Sequence, residues 1–275
     1  MSTSSLDLPR PRARSRSGIA SVRPPRAALA RAVSPLALLV LWQLASSTGL
    51  LPERLLPAPA TVAATGAELV RDGTLLDAVG VSVQRAVLGF LIGAAAGVGL
   101  ALAAGLSRVG ENAADPIMQM LRALPHFGLI PLFILWFGIG EAPKVALVAL
   151  GVAFPLYLNT FAGIRGVDGR LAEVAQTLRL GRPTLIRHVV LPGALPQALV
   201  GLRQSLGAAW LALIVAEQVN AASGLGFMIN NAREFLRTDI VVLGLVVYAA
   251  LGLLTDALVR LLERRALTWR KGFPI

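Results

Sequence analysis

The chain has two histidines, His126 and His188, and no cysteine in 275 residues. Without cysteine there are no disulfides, thiolate zinc sites or thiol nucleophiles, and two scattered imidazoles are too few for a histidine-based metal site. The two lysines, Lys144 and Lys271, follow Pro143 and Arg270 rather than glycine, so no phosphate-cradling loop of the glycine–lysine type exists. Ser205 has Arg203 and Gly207 where a nucleophile elbow needs two glycines. No HExxH is present. What remains are ionisable and amide groups set inside long apolar blocks, namely His126, Arg203, Glu217 with its neighbour Gln218, and Asp256 with Arg260.

At membrane depth such groups are costly, and they mark a pathway or a partner by default. His126 lies between Pro125 and Phe127, with Pro131 following. Prolines in a span free backbone carbonyls, which is tolerated where the helix is buried in protein or lines a cavity. His126 is therefore either a pathway residue or a hydrogen-bonded residue of a kinked, packed helix. Arg203 suits an anion route or snorkels to headgroups. Glu217 would repel an anion and reads as a structural or gating partner. Arg203 and Glu217 lie about 21 Å apart along one helix, at 1.5 Å per residue, and cannot pair within it. Asp256 and Arg260 have the four-residue spacing of a satisfied helical pair.

The elements that must hold these residues are apolar spans. Hydrophobic residues make up 55% of the chain and charged residues 15%, against about 25% charged in an ordinary soluble domain. The mean hydropathy is +0.69. A spanning helix needs about 20 apolar residues, and six candidates fit: 33–51, 82–106, 116–139, 143–163, 195–217 and 239–260. Gly89, Gly93, Gly97, Ala101 and Gly105 recur every four residues in the second. This is a seam of small residues that lets another helix approach closely, or else a substrate-facing stripe. The expected fold is an all-α, polytopic transmembrane bundle of six spans.

The net charge of +11 is carried by residues whose placement argues for topology and against a nucleic-acid face. With the N-terminus inside, 18 basic residues fall in inner segments and 5 in outer ones. Both termini are therefore expected in the cytoplasm. Residues 1–32 read as a disordered basic tail, 33–78 as the first span and an outer loop with an amphipathic helix near 61–71, 79–263 as the main transmembrane domain, and 264–275 as a cytoplasmic tail.

The inner loop at 164–194 carries the strongest local signal. Asp168 is a plausible N-cap for a helix running to about Leu180. Leu171, Val174, Ala175 and Leu178 share one face, Gly181 is expected to end the helix, and Pro183 to open the next. An amphipathic hairpin of this kind docks on another protein or lies on the headgroups.

Its residues resemble the signature of ABC importer permeases, Glu-Ala-Ala, three residues, glycine, nine residues, Ile-x-Leu-Pro. Here Glu173-Val174-Ala175 is followed at the same spacing by Arg179 and then by Val189-Val190-Leu191-Pro192, with Arg179 replacing the family glycine and Gly181 two places on. The runs Leu124–Pro131, Leu135–Gly140, Ser223–Phe227, Asn231–Asp239 and Leu262–Arg265 are similar to the aliphatic sulfonate, taurine and nitrate permeases, and most like the sulfonate members.

That resemblance implies a type I importer permease fold in a bacterial cytoplasmic membrane. It implies a coupling helix near 168–181, with Glu173, Ala175, Arg179, Gly181, Val189, Leu191 and Pro192 meeting the ATPase. The implied partners are ATP-binding-cassette ATPase subunits, a second copy of the permease and an extracytoplasmic solute-binding protein. ATP and magnesium would belong to the ATPase, and this chain would be no enzyme. The candidate pathway residues are His126, Arg203, Glu217 and Gln218, and the expected cargo is a small organic anion.

Overall fold

The computed structural model describes residues 25–269. Residues 1–24 and 270–275, which hold most of the basic N-terminal tail and the end of the C-terminal one, lie outside the described residues. Among the described residues the chain is helical throughout, in the order α1 (Pro25–Ser47), α2 (Pro59–Arg71), α3 (Thr74–Leu106), α4 (Arg108–Ala123), α5 (Ile130–Phe137), α6 (Glu141–Arg165), α7 (Gly169–Thr177), α8 (Arg182–Leu185), α9 (Leu191–Asn220), α10 (Leu225–Glu234) and α11 (Thr238–Ala266).

Four helical runs are long and apolar enough to cross a membrane: α3, α6, the stretch Arg182–Val219 that contains α9, and α11. The expected third span is not one straight helix. It divides into α4 and the run His126–Phe137, bent by 91°. The cause is local. Pro125 disfavours a helical residue before it and lacks an N–H, and Leu124 is extended at ψ 137°. At the expected first span lies α1, Pro25–Ser47, whose stretch Val33–Ser47 is apolar. That stretch exposes Val33, Leu36, Leu38, Leu39, Val40, Leu41 and Leu44. Helix α1 meets the rest of the chain at its end, where Gln43 Oε1 accepts from the Ala60 amide at 3.1 Å.

The core is the trio α3, α6 and α9, with α6 in the middle. The small-residue seam of α3 is a helix–helix contact. A Cβ added at Gly89 would lie 2.6 Å from Val148, at Gly97 2.6 Å from the Ala153 carbonyl, and at Gly105 2.8 Å from Ile164. Gly93 would strike the Ala149 carbonyl. Glycine is needed here because two backbones touch, which is how helices associate where no water drives them together. On its other side α6 meets α9 as closely, with Gly163 against Ala194 and Gly201 against Asn159. Helices α2 and α10 cover one end of the trio, with α2 against α11 and α10 against α11, α9 and α3.

Gly93→Leu is expected to abolish monodisperse, folded protein in mild detergent. Gly99→Ala, whose new Cβ meets nothing within 4 Å, is expected to leave the thermal midpoint unchanged or raised, since alanine is favoured in a helix by roughly 0.5–1 kcal/mol. Size-exclusion profiles and melting curves of the two variants check this.

Candidate functional site

The hairpin between α6 and α9 is built from short-range rules. Asp168 accepts from the Arg170 amide at 2.9 Å through Oδ1 and so caps α7. Leu171, Val174 and Leu178 are exposed, while Ala175 is buried at 3%. Apolar side chains therefore point out of the molecule along one face, with Glu173 beside them. Helix α7 closes by a bond from the Leu180 amide to the Ala175 carbonyl at 2.9 Å, the six-to-one bond of a Schellman ending.

The left-handed residue that this ending requires is Arg179, at φ 52°. Gly181, expected to end the helix, instead precedes α8 in an extended conformation at φ −65°. Arg179 thus stands where the resembled signature has glycine, and it adopts the backbone that favours glycine there. Pro183 opens α8 as expected. A π turn, Ile186–Val190, holds Val189 and leads into α9, which begins at Leu191-Pro192. Proline at 192 has no N–H to return to the carbonyl four residues back, so the α pattern is interrupted at this point.

At the opposite end of the bundle lies an ionic hub that sequence reading does not find. Arg85 of α3, 3% exposed, spends all five guanidinium donors. Nη1 donates to Glu217 Oε1 at 2.7 Å and to the Ser223 carbonyl at 2.7 Å. Nη2 donates to Glu141 Oε1 at 2.8 Å and to Ser223 Oγ at 3.1 Å, and Nε donates to the other oxygen of Glu141.

Glu217, buried at 1% exposure, accepts in addition from Ser82 Oγ at 2.8 Å, the Gly226 amide at 2.7 Å and Tyr248 Oη at 2.9 Å. Lys144 Nζ reaches Glu141 at 3.0 Å. Two cations and two carboxylates therefore compensate one another and join α3, α6, α9, α10 and α11. The run Ser223-Gly224-Leu225-Gly226 folds onto this hub. Gly224 has φ 102°, and a Cβ there would lie 2.6 Å from Arg85 Nη1. The glycines bring backbone donors and acceptors to the charges.

The four predicted pathway residues do not form one site. Glu217 sits in the hub, and its neighbour Gln218 is exposed near the end of α9. Arg203 is not a free cation. It bonds Asp256 at 3.2 Å and Glu263 at 2.6 Å on α11, and Asp256 also holds Arg260 at 2.6 Å. Two carboxylates around Arg203 remove most of its attraction for an anion. His126 is half-buried in the 3₁₀ turn before α5. Its Nδ1 lies 2.7 Å from the Leu124 carbonyl and its ring 4.9 Å from that of Phe154. A carbonyl only accepts, so Nδ1 carries the hydrogen.

Sequence reading also passes over three amides, Asn159, Gln197 and Gln204, which bond to one another on the surface of α6 and α9. The available signal for the hub was the pairing of Arg85 and Glu217, ionisable groups of opposite sign at the ends of two apolar blocks. The signal for the amides was Gln197 and Gln204 spaced seven apart in a span.

The chain is thus a transmembrane helical bundle with a helical hairpin inserted between two closely packed helices, α6 and α9. Residues 89–268 match the family described as binding-protein-dependent transport system inner membrane component, and the chain belongs to that family. It is thus a multi-pass inner-membrane transport subunit and not an enzyme.

Among its relatives, the protein named aliphatic sulfonates transport permease SsuC in Escherichia coli (strain K12) is 49% identical over 88% of this chain and 92% of its own length. The Bacillus subtilis (strain 168) protein of the same name is 46% identical over 87% of each chain. The taurine transport system permease of Escherichia coli is 35% identical over 84% of this chain and 86% of its own. The solved structure of an amino acid ABC transporter with histidines superposes with a TM-score of 0.61 at 18% identity, covering 72% of this chain and 97% of that one, and so shares the fold.

Glu217→Ala should lower stability by about 3–5 kcal/mol, because it strands the buried Arg85. Arg85→Leu combined with Glu217→Leu should lose less than the sum of the two single changes, as a double-mutant cycle of melting midpoints in detergent would record. Arg179→Gly should stabilise the hairpin by about 1 kcal/mol, the cost of a left-handed non-glycine residue, read as slower hydrogen exchange at Leu180.

Proposed function

We propose that this chain is the membrane-spanning permease of an ATP-driven importer of aliphatic sulfonates. In this reading two copies form the translocation unit, two ATP-binding-cassette subunits bind and hydrolyse ATP with magnesium, and an extracytoplasmic binding protein delivers the cargo. The hairpin faces the cytoplasm in this reading, which the 18 to 5 distribution of basic residues over six spans supports under the positive-inside rule. The hub then lies at the outer end.

One observation carries the reading: Leu171, Val174 and Leu178 are presented outward on a capped helix that connects α6 to α9. An apolar face on an inner loop is covered either by headgroups or by a protein; the match to a binding-protein-dependent transport family supports a protein, and the resembled signature assigns Glu173, Ala175, Arg179, Gly181, Val189, Leu191 and Pro192 to the same contact. The choice of cargo is supported by the names of the relatives at 46% and 49% identity. A taurine permease at 35% and a nitrate permease at 30% are less similar.

The mechanism follows from the packing. ATP-driven closure of the partner subunits moves the two hairpins. Each hairpin is joined at one end to α6 and at the other to α9, so its displacement reaches the wall of the pathway without passing through a mobile linker. Driving a two-state gate from 1:99 to 99:1 needs about 5.5 kcal/mol of differential binding, which the hairpin contact must transmit. His126, at the sharp bend before α5, would be set on the moving wall.

Glu173→Lys should reduce ATP-dependent uptake of ethanesulfonate at least about tenfold, equivalent to about 1.4 kcal/mol, and weaken copurification of the ATPase. The permease should still insert in the membrane at the normal level. Normal uptake by this variant would refute the docking role of the hairpin.

A further inference from the structure

The three surface amides on α6 and α9 form a ladder with a direction. Asn159 Nδ2 lies 2.8 Å from the Pro155 carbonyl, which can only accept. This contact fixes which end of the Asn159 amide is nitrogen. Its Oδ1 therefore accepts from Gln197 Nε2 at 2.9 Å, and its Nδ2 donates to Gln204 Oε1 at 2.9 Å. Hydrogen bonds run from Gln197 through Asn159 to Gln204, and among the described residues none continues from there. Because Gln204 Oε1 is the atom that accepts, its amide nitrogen, with two hydrogens, is the end left outside the ladder, on an exposed side chain.

The surroundings make this unusual. Gln204 is about 20 Å along α9 from Leu191 and about 24 Å from Asn220, inside a span the hydropathy marks as crossing the membrane. Val200 and Leu211 lie on the same face and are exposed. Gly207, three residues on, has open space where a Cβ would stand. Gly201 lets α9 approach Asn159, with a would-be Cβ 2.8 Å from Asn159 Cβ, and so makes the ladder possible. Hydrocarbon satisfies neither free hydrogen of Gln204, and an unpaired amide in lipid is costly. This face must therefore be turned to water or to a hydrogen-bond acceptor.

Resting on the importer reading above, we infer that Gln204 donates to the oxyanion of the cargo as it passes through the membrane, with Asn159 and Gln197 as positioning residues. A neutral amide suits a sulfonate, which is a weakly basic anion with three acceptor oxygens. It donates without the strong hold of an unpaired arginine, so the cargo can leave. The nearest cation, Arg203, is already taken by Asp256 and Glu263.

The cysteine-free chain allows a direct test in the assembled transporter in membrane vesicles. Gln204→Cys is treated with 2-sulfonatoethyl methanethiosulfonate, a charged thiol reagent that itself carries an alkanesulfonate. Reaction is expected, and ethanesulfonate at ten times its half-saturating concentration should slow it about tenfold, as 1 + [L]/Kd predicts. Absence of reaction, reaction indifferent to ethanesulfonate, or ready disulfide cross-linking of two copies of the Gln204→Cys variant would each overturn the inference.

Gln204→Glu gives a second measurement. Its carboxylate still accepts from Asn159, so a purely structural ladder is kept, but donors are exchanged for acceptors. Uptake should fall about tenfold or more with assembly intact, and unchanged uptake would overturn the inference. Ethanesulfonate uptake by the unsubstituted chain separates the two levels. If it is absent, the sulfonate reading fails and the inference with it. If it is present while Gln204→Cys is unprotected, the inference alone fails.

Discussion

Arg85 and Glu217 are the constraint around which one end of the molecule is arranged. Each is buried where a lone charge would be prohibitive, and each has every hydrogen-bonding position filled. Satisfying them takes a serine from α3, a tyrosine from α11, a carboxylate from α6 and the backbone of the turn before α10. A buried ion pair adds little to stability compared with an apolar pair of the same volume, but it tolerates only one arrangement of its neighbours. The hub is best understood as a registration device. It fixes four spanning helices relative to one another at the end where Gly224 and Gly226 admit the turn.

The rest of the bundle is held differently, by backbone proximity. Helix α6 is bracketed by the glycines of α3 on one side and by Gly201 of α9 on the other, with its own Gly163 against Ala194. Such contacts are short-ranged and steric, so sliding one of α3, α6 and α9 past another would bring backbone against backbone. The hairpin is attached to this block at both ends. A rigid core with a rigid attachment is what a protein needs if force applied at one surface is to alter the opposite one.

Much of this was legible in the sequence because it rests on local rules. The apolar blocks announced α3, α6, α9 and α11, and the four-residue glycine repeat announced the α3 seam. Asp168, the Leu171–Val174–Leu178 face and Pro183 announced the hairpin. The failures share a different cause. Arg85 and Glu217 are separated by 132 positions, and no local pattern says that they meet. Arg179 occupies a backbone conformation that propensity assigns to glycine, so propensity alone places the helix end at Gly181, two residues late. Pro125 signalled a break in the third span, but the size of the turn depends on what packs around it. Arg203 looked available for an anion because its two carboxylate partners lie on another helix.

The right-angle break at Pro125 also changes how the protein sits in its solvent. Helix α4 has 16 residues and the run after the break has 12, so neither arm is longer than about 24 Å at helical rise. The hydrocarbon layer is about 30 Å thick. A short stretch is accommodated by a thinner bilayer, by snorkelling side chains or by association with another subunit, each at a cost of fractions of a kcal/mol per ångström. Where lipid meets the bent run, acyl-chain length enters the energy of the α4–α5 wall, a term that the long helices α3, α6 and α11 do not carry.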